Sequence, residues 1–362
     1  MSERAEMQDL RLLLYLPALG DGGAERTTAA LAEDFARHGA DVRIVTDYEP
    51  AQGIDLPEGV RLERLRGGHL AQIRHLRALL KGFRPHAALS AIAASPLKLA
   101  LAARGLRIPL AHVFHGLEEW RTGRLSKLTW RALPLIARTG HIIAVSRVLR
   151  DYMAHAWRVP EARITTLQNP VRLPDPLPQV TVRSLAAREP VILCIGRLSR
   201  EKQFGMAIRA LSLMHHEEAR LILVGEGPQR QALEFMVKEL GLKDRVTFAG
   251  WQADIWPYLA RAKVFCLPSR TESFGIAAVE ALAAGLPVIG TATPGLKEVI
   301  GANPKLGQLV EITDIEGLAA ELDAALDDPG CPGPRQAHAR TFAAETVLPQ
   351  WRAFVRRLAG QR

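Results

Sequence analysis

The sequence predicts an α/β protein made of two Rossmann-like domains, and three observations support that prediction. Short apolar runs alternate with segments of helical periodicity along the chain, as buried parallel strands alternate with helices in such folds. A proline-rich stretch at residues 169–182 interrupts this alternation, which then restarts. The length of 362 residues fits two domains of about 150–200 residues each.

The predicted elements follow one another on both sides of the proline-rich stretch. Before it, apolar runs and helical periodicity predict strands at 11–17, 42–46, 87–91, 110–115 and 141–146 and helices at 24–38 and 71–82. After it, the same patterns predict strands at 191–196, 219–225, 245–250, 263–269, 286–291 and 307–312 and helices at about 204–215, 228–240, 274–284 and 314–327. Two successive βαβ series predict an N-terminal domain over 1–175 and a C-terminal domain over 183–345, facing each other across a cleft. A last helix, 346–362, is expected to pack back on the N-terminal domain.

Composition excludes several classes of protein. Cys194, Cys266 and Cys331 are widely spaced and odd in number, so they predict free thiols in a reducing compartment and no metal motif. The N-terminus lacks the apolar core and cleavage site of a signal peptide, and the most apolar stretch, 87–103, is broken by polar residues. We therefore expect a cytoplasmic protein without a bilayer span.

The formal net charge of +9 is concentrated in one part of the chain. Residues 61–150 contain 17 lysines and arginines but only 3 aspartates and glutamates. A field of one sign attracts polyanions or an anionic membrane face, and a merely solubilising basic surface is the alternative. Nucleic acid is disfavoured because no helix-turn-helix, zinc or aromatic-interleaved motif accompanies the charge.

Loops that follow strands are the place to look for chemistry, because parallel sheets bind ligands beyond the carboxyl ends of their strands. After the first strand, Gly20, Gly22 and Gly23 allow close approach of a phosphate to the next helix, although their spacing differs from a dinucleotide fingerprint and a plain turn is the alternative. After the first strand of the second domain, Arg197 and Lys202 provide two cations suited to a pyrophosphate. Taken alone, two cations in a loop are usually an ordinary solvated turn, and it is their position after a strand that favours a functional role.

The segment SRTESFGIAAVEALAAGLPVIG, residues 269–290, carries two glutamates around the start of a predicted helix. Phe274 and Gly275 are expected to begin that helix, whose free N–H groups would face a phosphate or a sugar oxygen. Glu272 could hold sugar hydroxyls, and Glu280 could accept both hydroxyls of a ribose. The alternative is that Glu272 only complements the helix dipole and that Glu280 is exposed. The mostly apolar neighbours of Glu280 argue against a free charge there.

The run ESFGIAAVE resembles the E-x-F-G-x-x-x-x-E element of family 4 retaining glycosyltransferases, which have the GT-B fold of two Rossmann-like domains. The segments GGAER, GRLSREK, LVGEGP and PSRTESFG also match that family in order and approximate spacing, so the resemblance covers nearly the whole chain. The segment TATPG, residues 291–295, departs from the family pattern. It has Pro294–Gly295 in place of a double glycine, which leaves the sugar or acceptor contacts there open.

The resemblance implies a hexosyltransferase that takes a sugar from a nucleoside-diphosphate sugar, with a UDP-sugar favoured over a GDP-sugar. The acceptor would be a glycan or a lipid-linked molecule, as in the synthesis of lipopolysaccharide, exopolysaccharide or other cell-envelope glycans. The reaction would retain the anomeric configuration and need no metal. No Asp-x-Asp motif, through which many sugar transferases of the other common fold hold a divalent ion, occurs in the sequence. The basic region 61–150 would then dock the protein on the inner face of the cytoplasmic membrane.

The resemblance also assigns the residues of the site. His115, at the end of a predicted strand, resembles a histidine of the first domain that contacts the donor sugar, although a strand-end histidine is more often structural. The other implied roles divide by the part of the donor that is held: the diphosphate by Arg197 and Lys202, the ribose by Glu280, and the sugar by Glu272 and the backbone of Phe274 and Gly275.

Three other functions are alternatives to this one, and the sequence argues against the third. A nucleotide-sugar 2-epimerase would have the same fold and the same grip on the donor, but no membrane-bound acceptor. A non-enzymatic module could use the basic region to bind anions or a membrane. An NAD-dependent dehydrogenase is disfavoured by the glycine spacing at residues 20–23.

Overall fold

The structure is a computed structural model that describes residues 6–20, 22–49, 56, 58–92, 94–116, 131–132 and 134–360. The chain divides into two compact units. The first unit is Met1–Pro170 together with Ala344–Arg362, and the second unit is Val171–Ala343. Each unit is built on one parallel sheet. The predicted fold class, two Rossmann-like α/β domains, is confirmed.

The first unit contains a seven-stranded parallel sheet in the order β3-β2-β1-β4-β5-β6-β7. Its strands are β1 Arg11–Leu16, β2 Asp41–Thr46, β3 Val60–Arg64, β4 Ala87–Ala91, β5 Leu110–Phe114, β6 His141–Ala144 and β7 Ile164–Thr166. Its α-helices among the described residues include Gly23–Arg37, His69–Phe83, Ser95–Ala103, Arg147–Ala156 and Ala344–Leu358. The central strands β4 and β5 are buried along their whole length, as expected for a sheet covered on both faces.

The C-terminal helix Ala344–Leu358 packs within the first unit. Trp351 is fully buried and donates a hydrogen bond from its indole N–H to the carbonyl oxygen of Gln168, at 2.9 Å. Arg352 donates to both carboxylate oxygens of Asp34, at 2.9 and 3.0 Å. The indole thus anchors the C-terminal helix to the segment after β7, and the ion pair, whose side chains are 12% and 5% exposed, holds it to the helix that follows β1.

The second unit contains a six-stranded parallel sheet in the order β10-β9-β8-β11-β12-β13. Its strands are β8 Val191–Ile195, β9 Arg220–Val224, β10 Val246–Gly250, β11 Val264–Leu267, β12 Val288–Thr291 and β13 Gly307–Val310. Its α-helices are Val182–Ala186, Phe204–Leu213, Arg230–Glu239, Trp256–Arg261, Ile276–Ala283, Pro294–Val299, Ile315–Asp327 and Pro332–Ala339.

Every strand predicted from the sequence is present, with ends that differ by one or two residues. The sequence analysis missed β3 and β7, which lie at the two edges of the first sheet. β3 is only partly buried and carries charged residues, and β7 has three residues, so neither shows a continuous apolar run. Within the described residues, no helix is both long and apolar enough to cross a membrane.

Candidate functional site

The chain order of the second sheet reverses between β8 and β11, which are neighbours in space. Connections from two such strands leave the sheet in different directions, and a crevice opens beyond their carboxyl ends. The loop 196–203 follows β8, and the loop 268–275 follows β11. The topology therefore brings together two segments that are about 70 residues apart in the sequence, and both contain predicted donor-binding residues.

Lys202 and Glu272 form an ion pair where these loops meet. The ammonium nitrogen of Lys202 lies 2.5 Å from Oε2 of Glu272, and the two side chains are only 26% and 14% exposed. The same carboxylate oxygen is 3.5 Å from the hydroxyl of Ser269, a fully buried residue. Because both charges are partly withdrawn from water, their attraction is stronger than that of a surface pair.

Gly295 packs against the backbone of residues 272–274 and so fixes the segment that contains Glu272. The N–H of Gly295 donates to the carbonyl oxygen of Glu272 at 2.7 Å. A Cβ atom at position 295 would lie 2.4 Å from the backbone nitrogen of Phe274 and 2.7 Å from the Glu272 oxygen. No side chain fits there without moving the loop, so the second residue of the Pro294–Gly295 pair has a packing role that the sequence analysis did not identify.

The prediction that Phe274 and Gly275 begin a helix is wrong by one or two residues. The helix is Ile276–Ala283, and Gly275 caps it with a φ of 92°, a left-handed conformation that cannot continue into the helix and that favours glycine. Phe274 is buried, with its ring edge-on to Phe342 at a centroid distance of 5.5 Å. The first N–H groups of the helix have no acceptor within it, so this end stays suited to an anion or a hydroxyl oxygen.

Glu280 lies on the same helix and is partly buried, in keeping with its apolar neighbours in the sequence. It is therefore not the fully exposed residue of the alternative reading.

Arg197 is exposed at the beginning of the loop after β8. Hydrogen bonds from the N–H groups of Gly196 and Leu198, both 2.9 Å long, fix this loop to Val224 at the end of β9 and to Glu226 just after it. A Cβ atom at Gly225 or Gly227 would overlap the backbone of residues 196 or 198. The two glycines of LVGEGP thus allow the close packing that presents Arg197 to solvent, a role not assigned from the sequence.

In the first unit, Gly22 caps the helix Gly23–Arg37 in an extended conformation, with no side-chain hydrogen bond to the helix end. The backbone at this end carries the partial positive charge of a helix N-terminus, and the contact of this loop with a phosphate stays a prediction. A Cβ atom at Gly22 would meet the carboxylate of Glu25, the end of a flexible side chain.

His115 immediately follows β5 and is 8% exposed. Burial lowers the pKa of His115 to about 4, and the nearby side chain of Asn169 opposes this shift only in part. Neither ring nitrogen completes a hydrogen bond with another described residue. His115 is therefore neutral at pH 7, and its two ring nitrogens, one donor and one acceptor, are buried without a hydrogen bond to another described residue.

The acidic residue after β2, Asp47, is already engaged by other side chains. It lies 2.8 Å from the hydroxyl of Tyr15 and 2.7 Å from the ammonium of Lys98, which also donates to Gln72 at 2.7 Å. All four side chains are buried. This network was not foreseen, because its members are spread over residues 15–98. The network therefore engages the Asp47 carboxylate, with which a dinucleotide-binding domain would bind the ribose.

Two family models match the chain and together cover most of it. The model of glycosyl transferases group 1 matches residues 181–345, and the model of glycosyltransferase family 4 matches residues 21–173. The lipopolysaccharide core biosynthesis glycosyltransferase LpsD of Rhizobium meliloti is 36% identical over 139 residues. That alignment covers 38% of this chain and 40% of LpsD. The chain spans about two fifths of the length of the curated relatives that match it first.

Solved structures resemble the chain over nearly its whole length. Sucrose-phosphate synthase of Thermosynechococcus elongatus aligns with a TM-score of 0.84 and 22% identity, covering 97% of this chain and 99% of that one. HepE of Anabaena, solved in complex with UDP-glucose, aligns with a TM-score of 0.81 and 20% identity, covering 96% and 99%. At these identities the likeness establishes the GT-B fold.

Proposed function

Because this chain belongs to the glycosyltransferases of group 1 and family 4, we propose that it transfers a sugar from a nucleoside-diphosphate sugar to a glycan or lipid-linked acceptor. The observation that carries this proposal is the partly buried Lys202–Glu272 pair beyond the carboxyl ends of β8 and β11. A cation and a carboxylate at that place match the two chemically different halves of such a donor, a diphosphate and a polyhydroxyl ring.

Different residues of the second unit bind different parts of the donor. Arg197 and Lys202 bind the diphosphate, with the N-terminus of the helix Ile276–Ala283 as an additional positive end. Glu272 and the backbone of Phe274 and Gly275 orient the sugar. Glu280 accepts hydrogen bonds from the ribose hydroxyls.

Lys202 and Glu272 act in sequence in this scheme. In the donor-free site each neutralises the other. A diphosphate, with about two negative charges, takes over the ammonium of Lys202 and so releases the carboxylate of Glu272 to accept hydrogen bonds from sugar hydroxyls. The binding of the donor itself thus places the carboxylate on the sugar.

The chemistry proposed is retention of the anomeric configuration by attack on the face from which the leaving group departs. The departing phosphate assists the attack of the acceptor hydroxyl. Arg197 and Lys202 stabilise the negative charge that develops on that phosphate, without a metal ion. A double displacement through Glu272 and Glu280, as in glycosidases, is not favoured because Glu280 is assigned to the ribose.

The first unit supplies the remaining assignments. Its helix N-terminus at Gly22 and Gly23 is proposed to face a phosphate. The contact of His115 with the donor sugar stays a prediction. It is compatible with a neutral imidazole whose two nitrogens have no partner among the described residues.

Lipopolysaccharide, exopolysaccharide or another cell-envelope glycan is the proposed destination of the sugar. The name of LpsD supports this choice, and the complex of HepE with UDP-glucose supports a UDP-sugar before a GDP-sugar. We place the reaction in the cytoplasm at the inner face of the membrane, with the basic region 61–150 as the docking element.

The test is a transfer assay with radiolabelled UDP- and GDP-sugars on glycan and lipid fractions of cell envelopes. Glu272→Ala and Lys202→Ala should each lower transfer at least about 100-fold while leaving the thermal unfolding cooperative. Glu189→Ala is the matched control, because Glu189 pairs with Arg261 at 3.4 Å on the surface, with side chains 67% and 55% exposed.

Three results would redirect the proposal. Near-normal transfer by either site variant would remove its proposed role. Conversion of the donor into its 2-epimer without an acceptor would indicate an epimerase. Anion binding without release of nucleoside diphosphate would indicate a non-enzymatic module.

A further inference from the structure

An open apolar groove lies on the first unit, and none of the residues assigned to the donor lines it. It encloses about 490 Å³ between the end of the helix Ser95–Ala103, the following loop, and the segment 132–139. Most of its described lining is aliphatic, and no aromatic side chain is among those described residues. Two leucines at its edge are unusually exposed for their size, Leu101 at 46% and Leu135 at 65%. Exposed leucines beside an apolar groove indicate a surface that interacts with another apolar surface.

The charges around the groove have one sign. Arg104, Arg107, Arg131 and Arg138 are all exposed, and the two segments that carry them, 97–110 and 131–139, contain no aspartate or glutamate. The helix His69–Phe83, which packs beside Ser95–Ala103, adds further cations without a carboxylate. Along these three segments an anionic partner meets no carboxylate.

The backbone that forms the groove is fixed from both sides. Arg77 donates to the carbonyl oxygens of Ala102 and Arg104, both at 2.7 Å, and so caps the end of the helix Ser95–Ala103. Arg163 donates to the carbonyl oxygen of Arg138, also at 2.7 Å. The exposed leucines and arginines therefore project from a supported surface.

We propose that this groove is a docking surface for an anionic phospholipid bilayer, with the leucines entering the interfacial layer and the arginines contacting phosphate headgroups. Aliphatic side chains surrounded by arginines suit the boundary between headgroups and acyl chains. Nucleic acid fits less well, because single strands are held by aromatic stacking and the lining residues that the structure describes include no aromatic side chain. The inference rests on the proposed function, since a membrane-bound acceptor is the reason for docking.

Vesicle flotation of the full chain tests the groove without donor or acceptor. We expect binding to vesicles of phosphatidylglycerol and phosphatidylcholine, and weak binding to phosphatidylcholine alone. Leu101→Ser combined with Leu135→Ser should weaken binding about tenfold or more, because each leucine loses apolar burial. Arg104→Gln combined with Arg107→Gln should weaken it by a similar factor at low salt and by much less at high salt.

Leu213→Ser is the matched control, since Leu213 is 52% exposed on the second unit. It should bind vesicles as the unmodified protein does. The leucine variants replace exposed side chains, so their unfolding temperature should not change.

Binding of the double leucine variant at full strength would overturn the assignment of the groove, as would no binding of the unmodified protein at low salt. Stronger binding to single-stranded homopolymers than to anionic vesicles would also overturn it. Thermal stabilisation by nucleotide-sugars, measured on the same preparations, separates the two proposals. Stabilisation without vesicle binding refutes the groove alone, and vesicle binding without stabilisation by any donor refutes the proposed function.

Discussion

Replacing Gly295 by alanine tests the physical basis of the candidate site, because this glycine sets the position of the loop that carries Glu272. An added Cβ atom would lie 2.4 Å from the backbone nitrogen of Phe274 and 2.7 Å from the carbonyl oxygen of Glu272. Ordinary van der Waals contacts are longer than 3.4 Å, and backbone atoms cannot rotate away as the end of a side chain can. The loop must therefore shift by about an ångström.

The shift has a cost in stability and a separate cost in activity. Overpacking of this kind lowers the free energy of unfolding by about 1–3 kcal/mol, and loss of the 2.7 Å hydrogen bond from Gly295 to Glu272 adds about 1 kcal/mol. A displacement of about 1 Å at a positioning loop lowers turnover by about 100-fold. We thus expect Gly295→Ala to fold, with stability reduced by about 2–4 kcal/mol and transfer reduced by 10- to 100-fold.

Denaturant unfolding and release of nucleoside diphosphate measure the two effects on one preparation. Gly333→Ala is the control, because a Cβ atom there meets only the sulfur of Cys331, at 3.9 Å, within the helix Pro332–Ala339. Alanine in a helix should leave stability unchanged or slightly raised. The reasoning is refuted if Gly295→Ala has unchanged stability and transfer, or if Gly333→Ala shows the same losses.

Two further predictions concern the first unit. Burial lowers the pKa of His112 and of His115 to about 4, below the usual 6.5, so the unfolded chain binds these protons first as the pH falls. The stability that the neutral rings contribute is complete above about pH 7 and is lost between pH 6.5 and 4. The loss is about 2 kcal/mol for each ring at pH 5. Urea unfolding between pH 7.5 and 5 should show the corresponding fall in the free energy of unfolding, and His112→Gln should reduce that fall by about half. An unchanged fall in the variant contradicts the assignment. Lys98→Met leaves the buried carboxylate of Asp47 without its cation and should cost about 3–5 kcal/mol. Adding Asp47→Asn should recover part of that loss, and failure to recover any would argue against an electrostatic origin.

The alternation of apolar runs and helical segments was sufficient to predict all six strands of the second sheet and five of the seven strands of the first. A buried parallel strand such as β8, Val191–Ile195, has apolar residues on both faces and stands out from its neighbours. The edge strand β3, Val60–Arg64, has no such pattern because one side of it faces solvent. Burial on both faces makes a strand easy to recognise in this sequence, although the partly exposed edge strand β10, Val246–Gly250, was also predicted.

The site could be predicted only as separate loops. Lys202 and Glu272 were each identified from a local pattern, but their contact depends on β8 and β11 being neighbours, and strand order is a property of the whole sheet. The packing of Gly295 against residues 272–274 depends in the same way on the third dimension. The buried link between Lys98 and Asp47 spans 51 positions and has no local pattern at all.

The central claim is that Lys202 and Glu272 together form the binding site for the diphosphate and the sugar of the donor. Thermal unfolding in a panel of UDP- and GDP-sugars tests it most directly, because a ligand that binds only the folded state raises the unfolding temperature. The account predicts that nucleotide-sugars of one base stabilise the unmodified protein and do not stabilise Lys202→Met. It also predicts that the bare nucleoside diphosphate still stabilises Glu272→Gln. Equal stabilisation of Lys202→Met, or none of the unmodified protein by any nucleotide-sugar, would contradict it.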